Sequence, residues 1–239
     1  LKRALEGLWA GKEGFSEENL LSVAKTLKNR HWQYQKDAEI SAISVNDFSF
    51  YDLMLDSIIA FGAVPPRFAN LSGREQYFAC ARGNKTGVAM EMTKWFNTNY
   101  HYIVPELSAE TTFKLDASKI LAEYEEAKAA GVKGKVNLIG PITFLALSKT
   151  TDGSCPFKNL NALVAEYKKL LELLSTLDDE VLVQFDEPIF ATDKNEEILL
   201  SVIAKVYNEL AVAASNVKIV FMTYFEHALK AVAEVAKTK

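Results

Sequence analysis

The side chains that could do chemistry gather where apolar stretches end. Asn46–Asp47 follow AISV, Gly140–Pro141 follow VNLI, Asp186–Glu187–Pro188 follow VLVQF, and Thr223–Tyr224 with Glu226–His227 follow KIVFM. In parallel α/β folds ligands sit at the C-terminal edge of the strands, so this distribution marks a candidate site. Ordinary loop polarity at strand ends accounts for the same pattern about as well.

Asp186 and Glu187 are adjacent after a strand, so their side chains point in different directions. They cannot be the facing carboxylate pair of a glycosidase, and one of them faces a pocket or caps a helix. The three histidines lie apart. His31 falls on a long helix and reads as partly buried, His101 in NYHY reads as a hydrogen-bonded core residue, and His227 begins a helix. With Cys80 and Cys155 distant in sequence, no zinc set is spelled out locally, and a Cys–His nucleophile would need a tertiary contact. In MTKWFNTNYHY, Lys94 stands among aromatics, with Asn97 and Asn99 nearby. There Lys94 either snorkels to solvent or holds a carboxylate by charge-assisted hydrogen bonds. The aromatic setting of Trp95, Phe96 and Tyr100 predicts a site partly shielded from water.

The elements that must position these groups follow from periodicity. Ser16 reads as the N-cap of a helix through EENLLSVAKTLKNRHWQYQKDA, with Glu17 and Glu18 at its positive end. FYDLMLDSIIAFGAV reads as a helix closed by Pro65–Pro66, and residues 70–90 as Gly-rich and irregular. About five segments read as strands, AISV, TTFKLD, KVNLI, VLVQF and KIVFM, and from residue 111 onward they alternate with helices. The apolar runs suit parallel strands buried on both faces, so the fold class is α/β. A (β/α) barrel and a doubly wound sheet are both open at this point. No GxGxxG follows a strand and no GxxxxGK[ST] occurs, which disfavours a nucleotide site.

Composition bounds the rest. The chain has 239 residues, 27 Lys plus Arg against 31 Asp plus Glu, and 49% hydrophobic residues. There is ample apolar side chain for a packed core. A net charge of −4 speaks against nucleic-acid binding and adhesion to an anionic membrane. Two cysteines without close spacing fit a reduced, cytoplasmic setting, and no apolar run is long enough to span a membrane.

Taken in order, LKRALEGLWAGK, RHWQYQKDAEI, VNDFSFYD, EMTKWFNTNYHYIVPE, LIGPITFL, VQFDEP and MTYFE resemble the N-terminal half of the cobalamin-independent methionine synthases. EMTKWFNTNYHY is long enough to be specific by itself, and the resemblance covers nearly the whole chain. It implies a double (β/α) barrel enzyme that moves a methyl group from 5-methyltetrahydropteroyltriglutamate to homocysteine, whose thiol is activated by zinc in the C-terminal barrel. Residues 1–239 would then be most of one N-terminal barrel, with about five of the eight strands of a closed barrel. The family's opening GFPRIG strand and its later strands have no counterpart here, so the expectation is a chain lacking parts at both ends and lacking the catalytic barrel.

The resemblance also assigns roles. A His-x-Cys pair of the catalytic barrel aligns with Phe221 and Thr223, neither a usual zinc ligand, so no metal and no catalytic residue is expected in this chain. Asp186 resembles a homocysteine-contacting position and reads here as a structural relic. The tail of the folate substrate would be held by Lys94 first, then Lys2, then Asn99, while the domain braces the C-terminal barrel of the same polypeptide. Two rivals remain: a structural barrel with no ligand of its own, and a short independent enzyme of the same superfamily.

Overall fold

The computed structural model describes residues 1–194 and 196–238. It opens with α1 (Lys2–Trp9) and α2 (Glu17–Asp37), then β1 (Ile43–Val45), α3 (Leu53–Ala60) and α4 (Gly73–Arg82). Three short strands follow, β2 (Met92–Lys94), β3 (His101–Ile103) and β4 (Glu106–Leu107). The remainder is α5 (Ser118–Ala129), β5 (Gly134–Ile139), α6 (Pro141–Ala146), β6 (Lys149–Thr150), α7 (Leu160–Leu174), β7 (Val181–Asp186), α8 (Glu196–Ala211), β8 (Val217–Met222) and α9 (Leu229–Val235).

Local chemistry sets the helix starts. The Ser16 hydroxyl accepts a hydrogen bond from the Asn19 amide at 3.1 Å, and the Asp52 carboxylate accepts one from the Leu55 amide at 3.0 Å. Leu163, Leu170, Leu171 and Leu174 bury one stripe of α7, as helical spacing requires.

Four strands form a parallel sheet in the order β1-β5-β7-β8. Their order is their chain order, with no reversal of the kind that marks a doubly wound sheet. Register puts Val45, Val136, Val183 and Ile219 side by side, and Leu138, Phe185 and Phe221 side by side. That face is apolar and lies under the helices. Rings of Phe61, Tyr167, Phe185, Tyr207 and Phe221 run across it in sequence, with successive centroids 4.1, 5.7, 6.0 and 5.0 Å apart.

The opposite face differs from the expectation of strands apolar on both sides. It is mixed: Ser44, Lys135, Leu182 and Lys218 form one row, Asn137, Gln184 and Val220 the next, and Asp186 stands between Ile139 and Met222. A second difference concerns TTFKLD, which pairs with no strand of the sheet. Its amides go elsewhere: Lys114 to the Phe61 carbonyl at 3.0 Å, Asp116 to the Ala60 carbonyl at 2.7 Å, and Leu115 to the Glu166 carboxylate at 3.0 Å. It ties the end of α3 to α7, so the sheet has four strands rather than five among the described residues. Finally, the stretch 70–90 is not wholly irregular. It contains α4, which buries Tyr77 and Cys80 and ends at Gly83 with φ of 71°, a conformation that glycine adopts without strain.

Candidate functional site

The C-terminal edge of the parallel sheet gathers the polar groups. Asn46 follows β1 with φ of 60°, a left-handed conformation that Asn tolerates better than most residues. Its side-chain amide donates to the Asn137 carbonyl at 3.0 Å, and its oxygen accepts from the Lys119 ammonium at 3.0 Å. Lys119, at the start of α5, also lies 3.0 Å from Glu123 and 3.3 Å from Asp56. The two carboxylates hold the ammonium charged against the cost of burial. Asn46, Asp56, Lys119, Asn137 and Asp186 line a cavity of about 80 Å³ at this edge.

The adjacent carboxylates at the end of β7 separate cleanly. Glu187 is fully buried and accepts from the Ile142 amide at 3.1 Å, the Thr143 amide at 2.6 Å and the Tyr207 hydroxyl at 2.9 Å. It satisfies the orphan amides at the start of α6, which is the capping role. Burial pushes its carboxyl up to about 7, against the pull of those donors. A Cβ built on Gly140 would lie 2.2 Å from this carboxylate, so a larger residue there would force the carboxylate to shift. Asp186 turns to the mixed face of the sheet and lines the cavity. Its carboxylate accepts from the Gln184 amide at 2.7 Å, and Gln184 in turn accepts from the Lys135 ammonium. Burial raises the Asp186 carboxyl, opposed by Gln184 and Lys135.

The segment MTKWFNTNYHY forms an antiparallel hairpin of β2 and β3, with Lys94 paired to His101. Tyr102 is buried, and its hydroxyl donates to the Leu147 carbonyl at 3.2 Å. Trp95 packs edge-on against Tyr102 at 5.4 Å, and Phe96 meets Phe225 beyond β8, also at 5.4 Å. Strand alternation sends Lys94 and His101 outward together, and both are exposed. The expectation of a shielded Lys94 is therefore corrected, and so is that of a core His101. Tyr100 is 78% exposed rather than part of an aromatic wall. Asn99 is exposed on the same hairpin, whereas Lys2 stands on α1, 3.8 Å from Glu6.

His31 is exposed on α2 rather than partly buried, and His227 lies just before α9. Cys80 sits in the core, where burial pushes its thiol up to about 11, the reverse of an activated nucleophile. Phe221 lies against Tyr207 on the apolar face, and the hydroxyl of Thr223 is buried without a partner. No group of three or more His, Cys, Asp or Glu that could hold a metal occurs among the described residues. No described helix is long and apolar enough to cross a membrane.

Reading by residue type overlooked Asp52 and Lys119. Asp52 precedes LMLD as an N-cap does, and Lys119 stands four residues before Glu123, the spacing of a helical ion pair. Both signals were present in the sequence.

Comparison with known proteins gives a family. Residues 1–239 match the family model described as "Cobalamin-independent synthase, N-terminal domain". A Desulforamulus reducens protein named 5-methyltetrahydropteroyltriglutamate–homocysteine methyltransferase is 51% identical over 234 residues, which is 97% of this chain and 30% of the relative. Proteins of the same name from Mycobacterium tuberculosis and Flavobacterium johnsoniae are 43% and 44% identical, covering 100% and 95% of this chain and 31% and 30% of theirs. The chain thus spans about 30% of the length of these relatives. With the chain matched over residues 1–239, it belongs to the cobalamin-independent synthase family, in the region of its N-terminal domain.

Proposed function

We propose that this domain works within a longer polypeptide that moves a methyl group from 5-methyltetrahydropteroyltriglutamate to the thiol of homocysteine. The observation that carries this reading is the end-to-end family match, together with relatives of that name at up to 51% identity among those compared. In this reading the parallel sheet is part of a (β/α) barrel, and a second barrel carries the chemistry. A thiol is a poor nucleophile until ionised, and zinc in the C-terminal barrel supplies that activation. Phe221 and Thr223 offer no ligands for it here.

The work of this chain's own residues is binding and support. Lys94 and Asn99 on the β2–β3 hairpin offer a cation and amide donors to the tail carboxylates, and Lys2 on α1 adds a second cation. Exposed charges of this kind contribute about 0–1 kcal/mol each and lose it as salt rises. The exposed Met222 at the end of β8 and Phe225 beyond it give the domain an apolar surface for bracing the catalytic barrel. The setting is cytoplasmic in this reading, with no nucleic-acid or membrane partner.

The test is an assay of the complete polypeptide with triglutamate folate and homocysteine. Methionine should form, and after the two halves are separated by limited proteolysis the zinc should stay with the C-terminal one. Absence of methionine, or stoichiometric zinc on the N-terminal half, would overturn the reading.

A further inference from the structure

Asp52 makes two bonds where a helix cap needs one. One carboxylate oxygen accepts from the Leu55 amide at 3.0 Å and caps α3, while the other accepts from the Ile103 amide at 3.1 Å, 51 residues away on β3. Ile103 is fully buried. Without the second oxygen its N–H would be a buried donor with no partner, which costs more than a surface bond returns. A serine or asparagine would cap α3 equally well, so the cap does not explain a carboxylate. The hairpin's other tie of this kind is the Tyr102 hydroxyl on the Leu147 carbonyl. Beyond these two adjacent ties, Lys94 at the end of β2 and Asn99 in the turn that follows stand in the open.

We infer that Asp52 is a positioning residue, whose carboxylate clamps the β2–β3 hairpin to α3 and so holds Lys94 and Asn99 in register for an anionic ligand tail. This rests on the reading that the hairpin meets the tail. Asp52 does not touch the ligand in this arrangement. An exposed lysine binds weakly when it must also be immobilised, so the fixed hairpin lowers the ordering cost of the contact.

The test uses the complete polypeptide carrying Asp52→Asn, at pH 8, where the carboxyl is ionised given its pKa of about 7. Asparagine keeps one acceptor for α3 and cannot accept from both amides. Exchange of the Ile103 amide should accelerate by about tenfold or more, while the α3 amides stay protected. KM for the triglutamate folate should rise about as much as in Lys94→Ala, with kcat and the monoglutamate KM unchanged. The double variant should be no worse than either single one, because both act through the same hairpin. If the asparagine variant does not fold, Asp52→Ser keeps the cap and loses the reach. Unchanged Ile103 exchange would overturn the clamp whatever Lys94 does. Faster exchange with no tail-specific KM effect in Lys94→Ala would leave the clamp in place and remove the tail-binding reading. Additive effects in the double variant would overturn the claim that Asp52 acts through Lys94.

Discussion

Glu187 shows how one buried carboxylate can organise a strand end. It meets three donors from two helices, and Gly140 leaves it the room. Its raised pKa has a stability consequence with a definite sign. Between about 4.5, the ordinary value, and about 7, the folded chain keeps a proton that the unfolded chain has released. Stability therefore falls as pH rises through that window and levels off above it. Urea unfolding of this domain between pH 5 and 8 should show the decline, and Glu187→Gln should make it shallower, leaving the part that Asp52, also raised to about 7, contributes. An undiminished slope in the variant would mean that Glu187 is ionised throughout. Gly140→Ala drives a methyl group into the same carboxylate. It should lower the urea midpoint by the equivalent of about 1–3 kcal/mol, the range for overpacking. A midpoint matching the parent would show that Glu187 can move aside.

At the scale of elements, two-residue alternation decides what the hairpin can offer. Tyr102 and Thr93 share one side, Lys94 and His101 the other. That rule was available in the sequence, but the aromatic neighbours of Lys94 suggested shielding. Strand alternation overrides such neighbourhood arguments once the segment is a hairpin. The same limit applies to TTFKLD, whose alternation reads as a strand but whose amides bond to α3 and to Glu166. Only tertiary partners separate the two cases. The helix α4 was hidden behind Gly73 and the polar residues around it, although the turn-forming Gly83 marks its end. Removing the Tyr207 hydroxyl probes how tightly α8 is tied to the strand end. Tyr207→Phe leaves Glu187 one donor short, and should cost about 1–3 kcal/mol in the same urea titration. A loss below a few tenths would show that the α6 amides alone suffice.

For the whole molecule, the α/β class and the parallel strands VNLI, VLVQF and KIVFM were legible because apolar runs of that length leave few alternatives. The polar groups on the second face of the sheet were not, because Lys135, Asn137 and Gln184 interrupt those runs only at alternate positions. Sequence also gathered polar side chains at the strand ends as a candidate site, and Asn46 and Asp186 line one cavity there. It could not divide the roles of Asp186 and Glu187, which depend on α6 arriving above the strand end. In the proposed function this domain holds an anionic tail through exposed cations rather than through a closed pocket. The most direct measurement is the KM of the complete polypeptide carrying Lys94→Ala, for triglutamate and monoglutamate folates, at low and moderate salt. An exposed contact in the upper half of the range for such pairs, about 0.5–1 kcal/mol, predicts a rise of roughly two- to fivefold for the triglutamate alone, smaller at the higher salt, with kcat unchanged. Equal losses for the two folates, or no loss for either, would contradict it.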